Sequence, residues 1–86
     1  TYLDTYAWIL FEQGRYEQAR LYIDETMKYV DETEENASIY DHAGDIYMKC
    51  GRMEEAVDFW RRALRLTTES VERKKIERKI KKYSHL

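Results

Sequence analysis

The sequence has no proline, three glycines and one cysteine. With no proline to break them, helices can run until their own caps and turns stop them. The lone thiol, Cys50, rules out an internal disulfide framework and a structural zinc site built on cysteines. No apolar run is long enough to span a bilayer as a helix, and no secretory or lipidation motif can be read. Gly44 and Gly51 lack the flanking residues of a phosphate-binding loop. The two histidines are His42 and His85. His42 adjoins Asp41 and precedes Asp45 by three positions, which is too few convergent ligands for a metal site. Cys50 has no histidine placed locally to act as its base. The acid pairs Glu34/Glu35 and Glu54/Glu55 fall in a linker and beside a turn, where they cap or solubilise. No enzyme, metal or cofactor is expected.

Eighty-six residues allow one small domain with a modest core and no second domain. Hydrophobic residues make up 43% and charged residues 37%, too apolar for a disordered chain. Richness in Glu, Lys, Arg, Ala and Leu points to a nearly all-helical chain. Aromatics are 14%, with eight tyrosines, so rings must supply much of the core volume. Helical periodicity is already running at Thr1, and the chain is expected to be a fragment of something longer.

Two segments repeat at a separation of 37 residues. Gln13-Gly14-Arg15-Tyr16-Glu17-Gln18-Ala19 is matched by Cys50-Gly51-Arg52-Met53-Glu54-Glu55-Ala56. Apolar residues at intervals of three or four precede and follow each Gly-Arg: Ala7, Leu10, then Ala19, Ile23, Met27 and Val30; Ala43, Ile46, Tyr47, then Ala56, Trp60 and Ala63. Glycine permits the left-handed conformation that ends a helix and lets the chain reverse. The spacing predicts helices over 2–13, 16–32, 37–50, 53–66 and 70–83. Asn36 is a candidate cap for the third, and Thr67, Thr68 and Ser70 for the last. Small residues at Ala7, Ala19, Ala43, Gly44, Ala56 and Ala63 suit close helix crossings.

This arrangement resembles the tetratricopeptide repeat (TPR). Tyr40, Ala43, Gly44, Tyr47, Gly51, Ala56, Phe59, Trp60, Ala63 and Leu64 fall where that repeat places its large–small–aromatic signature. Leu3, Ala7, Leu10, Gly14, Tyr16, Ala19, Ile23 and Thr26 fit the same frame, with Leu3 where the repeat prefers Trp and Thr26 where it prefers Ala. The resemblance implies an all-α fold of about five helices, a right-handed superhelical stack of antiparallel helix pairs. The first repeat would span 1–33, the second 37–70, and a closing helix 70–83. Ile76, Ile80 and Tyr83 would form the stripe that covers the end of the stack. The family's usual period is shorter by three residues; one more turn on the second helix would absorb them. The whole looks like the C-terminal end of a longer bacterial repeat protein.

In this family the first helices of successive repeats line a groove that binds peptide segments of partner proteins. Carried onto this sequence, that groove would show Asp4, Trp8, Phe11 and Glu12 from the first copy, and Ser38, Asp41, Asp45, Met48 and Lys49 from the second. The closing helix would add Lys75 and Lys79. Helical spacing puts each set on one face. Trp8 and Phe11 are expected either to anchor a peptide or to pack against the long second helix or a missing upstream repeat. Asp4, Asp41 and Asp45 would favour a basic or amine-bearing segment, unless they are merely solvated. They replace the basic residues with which some relatives clamp a terminal carboxylate.

Charge is divided unevenly. Residues 1–43 carry ten acids and three bases, and residues 44–86 seven acids and twelve bases. The basic run 73–82 could attract nucleic acid or an anionic membrane. It lacks interleaved stacking aromatics and any nucleic-acid motif, so both partners are disfavoured and a solvated closing helix is expected. The expected function is a non-catalytic scaffold for a protein or peptide. The alternatives are a structural cap of a longer array and a homodimer through a front face of Tyr2, Leu3 and Tyr6.

Overall fold

The computed structural model describes residues 2–84, and side chains from Asp4 onward. Among them are five α-helices: α1 (Tyr2–Glu12), α2 (Tyr16–Met27), α3 (Ala37–Lys49), α4 (Met53–Leu66) and α5 (Ser70–Tyr83), with a 3-10 turn at Glu34–Asn36 before α3. The fold is all-α. Helices α1 and α2 pair, α3 and α4 pair, α2 packs on α3, and α5 closes against α4.

Both reversals use the same backbone device. Gly14 and Gly51 each have φ of 78°. Gly14 N–H donates to the Phe11 carbonyl at 3.0 Å and Arg15 N–H to Leu10 at 2.9 Å. Thirty-seven residues on, Gly51 N–H donates to Met48 at 3.1 Å and Arg52 N–H to Tyr47 at 3.0 Å. These crossed bonds satisfy the last carbonyls of each first helix and need a residue without Cβ at the left-handed position.

The second pair forms the densest core. Trp60, Ile46, Ala43, Ala56 and Ala63 are fully buried. A Cβ on Gly44 would lie 2.3 Å from Trp60 Cδ1 and Nε1, so glycine is what lets α3 cross the indole. In the first pair the equivalent positions are Ala7 and Ile23, both fully buried. A smaller partner there leaves room for a methyl group.

Three expectations are corrected. Helix α2 stops at Met27 rather than running to 32. Its end tightens through Lys28 N–H to Glu25 and Tyr29 N–H to Thr26, and the buried Thr26 hydroxyl donates back to the Tyr22 carbonyl at 3.0 Å. The three extra residues of the spacing therefore enter the linker and its 3-10 turn, not another turn of helix. Asn36 does not cap α3 with its side chain. Its amide instead ties the linker together, donating to the Asp31 carbonyl at 2.9 Å and to Thr33 Oγ1 at 3.1 Å. The cap position of α5 is Glu69, with no side-chain cap bond; Thr67 donates back to Ala63 at 2.6 Å, and Thr68 to Glu34 at 2.7 Å.

Helix α5 packs on the second pair with Ile76, which is buried, and with Ile80 and Tyr83 packed on the core. Arg73 supplies a second fastening. Its guanidinium donates to the carbonyls of Leu64 at 2.7 Å and Thr67 at 2.9 Å, where the end of α4 has acceptors to satisfy.

Candidate interaction site

Helices α1, α3 and α5 present one face. Trp8 and Phe11 both lie on it, three residues apart on α1, with ring centroids 4.6 Å apart and planes 15° apart. Trp8 also stacks on His42 of α3 at 4.1 Å. The result is a continuous Phe11–Trp8–His42 stack bridging the first helices of the two pairs, with His42 Nδ1 buried and unpartnered in it. Trp8 is thus committed to packing within the chain. Phe11, at the outer end of the stack, meets the edge of Tyr16 at 5.5 Å.

Thirty-seven residues after Trp8 stands Asp45, and it solves the same packing problem with charge. Lys79 of α5 donates to Asp41 at 2.8 Å and to Asp45 at 2.9 Å, while Trp60 Nε1–H donates to Asp45 at 3.2 Å. Burial works against the Lys79 ammonium, but its bonds to Asp41 and Asp45 outweigh that and hold the proton more tightly than usual. Burial first, and the nearby Asp41 charge after it, push the Asp45 carboxyl above its ordinary value despite the bonds from Lys79 and Trp60. Asp41 and Asp45, two of the three acidic residues expected to meet a partner's basic group, are therefore engaged by α5 of the same chain.

That bridge divides the face. On one side Phe11, Asp45, Met48, Trp60, Arg78, Lys79, Lys82 and Tyr83 enclose a cleft of about 370 Å³. On the other, Glu34, Glu35, Ser38, Asp41 and Glu72 contribute to a separate cleft of about 260 Å³. Of the sequence-predicted residues, Phe11, Asp45, Met48 and Lys79 converge in the first cleft, and Ser38 and Asp41 in the second. Asp4 is half-buried in the first turn of α1. Glu12 is exposed at the end of that helix. Lys49 sits 5.8 Å above the Tyr16 ring, and Lys75 pairs with Glu72 of its own helix at 3.5 Å. Tyr83, Arg78, Lys82 and the edge of Trp60 were not among the predicted site residues. Steps of three and four from Lys79 lead to Lys82 and Tyr83, so helical spacing carried that signal.

Burial pushes the Cys50 thiol up from its ordinary value, away from a reactive thiolate. Among the described residues no group of three His, Cys, Asp or Glu could hold a metal ion, and no helix is long and apolar enough to cross a membrane. His85 lies outside the described residues.

With this geometry in place, comparison with known families gives one result: residues 37–69 match the family model described as tetratricopeptide repeat. This segment is a tetratricopeptide repeat. It comprises α3, α4 and the whole linker to α5, and repeats of this kind generally mediate protein–protein interactions without catalysis. No curated protein and no solved structure matches the chain. The Gly44–Trp60 crossing and the Gly51 turn both fall inside the TPR segment.

Proposed function

We propose that the protein is a non-catalytic interaction scaffold that holds a peptide segment or partner helix on the face formed by α1, α3 and α5. Residues 1–33 act in it as a diverged first repeat, 37–70 as the second, and 70–83 as the closing helix. The observation that carries this reading is the convergence of Phe11, Met48 and Tyr83, from three different helices, on one open cleft floored by Trp60. Concave apolar surfaces with a few polar groups at the rim are where preformed binding sites occur. Trp8, stacked on Phe11, and Asp41, bonded to Lys79, support residues of that cleft.

The test is selection of short peptides from a random display library on the immobilised protein, followed by calorimetric titration of those enriched. Saturable binding that weakens roughly tenfold in Met48→Gln is expected, since an apolar anchor residue contributes about 1–2 kcal/mol. Binding indifferent to that substitution, or no binding, overturns the proposal.

A second reading has its own observation. Tyr6, Ile9, Leu21, Tyr22 and Tyr29 on the first pair and its linker are exposed, whereas Ile46, which corresponds to Ile9, is fully buried. Such a front face suits either a preceding repeat, for which this chain would be the closing end, or a second copy. Tyr2 and Leu3, the other residues expected there, have side chains outside the described ones. Sedimentation equilibrium over a concentration series separates the two occupants. A mass rising toward the dimer, and restored to monomer by Ile9→Asp, supports the second copy; a constant monomer mass removes it.

A further inference from the structure

The cleft between Phe11, Met48 and Tyr83 is cationic, although the chain as a whole carries a net charge of −2. Its lining holds one acid, Asp45, and three bases, Arg78, Lys79 and Lys82, which leaves a formal charge of +2. Asp45 is paired with Lys79 at 2.9 Å; counting Asp41, which shares that ammonium at 2.8 Å, the five charged groups together still carry a net positive charge. Arg78 and Lys82 are exposed, and neither forms an ion pair with a carboxylate of the described residues. Lys82 Nζ lies 5.3 Å from the Tyr83 ring centroid, and Lys79 Nζ 5.8 Å from that of Trp60. The cations thus stand over the aromatic walls of the cleft.

An apolar floor with two unpaired cations on the rim selects for a particular partner. We infer that this cleft takes an acidic peptide segment bearing one large apolar side chain, with the apolar group against Phe11, Met48 and Tyr83 and its carboxylates at Arg78 and Lys82. The inference rests on the groove proposed above and adds the chemistry of its occupant. It also reverses the preference that the sequence suggests. Asp41 and Asp45 read as an acidic patch for a basic partner, yet Lys79 consumes both, and the rest of the cleft's charge comes from α5. A basic segment would have to displace Lys79 from two carboxylates and then face Arg78 and Lys82. An acidic one meets complementary charge without rearrangement.

The test is the charge of the enriched peptides, read together with two variants. Peptides selected on the wild-type protein are expected to be net acidic and to carry a large apolar residue. Arg78→Glu combined with Lys82→Glu should weaken them roughly tenfold at low salt, with less effect at high salt, as for charges at an interface rim. Selection repeated on that double variant should enrich basic peptides. Both substitutions are at exposed positions, so circular dichroism should be unchanged. Enrichment of neutral or basic peptides on the wild-type protein, still lost in Met48→Gln, overturns the acidic occupant but leaves the groove standing. Peptides indifferent to Met48→Gln, or none enriched, overturn both.

Discussion

The two helix pairs share a turn and differ in the residues at their crossings. Their turns superpose in register, down to the two crossed hydrogen bonds at Gly14 and Gly51. Yet the first pair crosses at Ala7 and Ile23 and the second at Gly44 and Trp60. The first fills its groove position with Trp8, stacked on His42 of the next helix; the second fills it with Asp45, bonded to Lys79 of the helix after. Leu10 is a simple core residue, while its counterpart Tyr47 sends its hydroxyl to Asp24 on α2. The lesson is that a repeat unit's side chains are set by its neighbours in the stack. The second pair has a neighbour on each side, and the first has one among the described residues.

The sharpest break of the comparison uses Ile46 and Ile9, identical residues at corresponding positions, buried at 0% and exposed at 45%. Ile46→Ala should cost about 2–5 kcal/mol of unfolding free energy in urea titrations. Ile9→Ala should change it by less than about 0.5 kcal/mol. Equal effects would mean that the front face is covered in solution.

Next in size is the crossing. Gly44→Ala forces a methyl group onto the indole and should cost about 1–3 kcal/mol, despite alanine's better helix propensity. Adding Trp60→Ile transplants the first pair's solution into the second. The double variant should then be less destabilised than the sum of the singles, by at least about 0.5 kcal/mol in a double-mutant cycle. Strict additivity would show that the two residues are not matched to each other.

A smaller loss is expected where the closing helix meets the groove. Lys79→Ala leaves Asp41 and Asp45 facing each other with side-chain exposures of 20% and 17%. It should cost about 1–2 kcal/mol and lower the helical signal of α5 first. No change would mean that Ile76, Ile80, Tyr83 and Arg73 hold α5 without it.

The last effect is one of pH. Burial first, and the bond to Asp24 second, push the Tyr47 hydroxyl up to about 12. A group whose value is raised on folding contributes stability that is complete below its ordinary value, about 10 for tyrosine, and is lost as pH rises through the folded value. Stability should therefore decline between about pH 10 and 12, and the decline should shrink in Tyr47→Phe, measured by urea titration at each pH. A decline of the same size in Tyr47→Phe would assign it to other groups.

Much of this protein was legible in one dimension. The Gly-Arg register, the absence of proline and the spacing of Ala7, Leu10, Ala19 and Ile23 give the helices and their pairing, because backbone reversal and burial of one face depend on local residue types. The stripe of Ile76, Ile80 and Tyr83 likewise marks the face by which α5 packs on the core. What local pattern did not give was the course of the linker. The end of α2 depends on a bond from Thr26 to its own helix and on Asn36 folding back onto Asp31 and Thr33, competing arrangements of the same polar groups.

The site divides in the same way. The family resemblance puts Phe11, Asp45, Met48 and Lys79 on one expected groove, and helical spacing supports the faces of α1 and α3 that carry the first three. Only the tertiary structure decides that Trp8 is consumed by His42, that Lys79 crosses to Asp41 and Asp45, and that Arg78 and Lys82 are left facing the cleft. Sequence determines which groups a face carries. Which of them remain unpaired depends on distances between segments more than thirty residues apart, and the charge offered to a partner is what those pairings leave over.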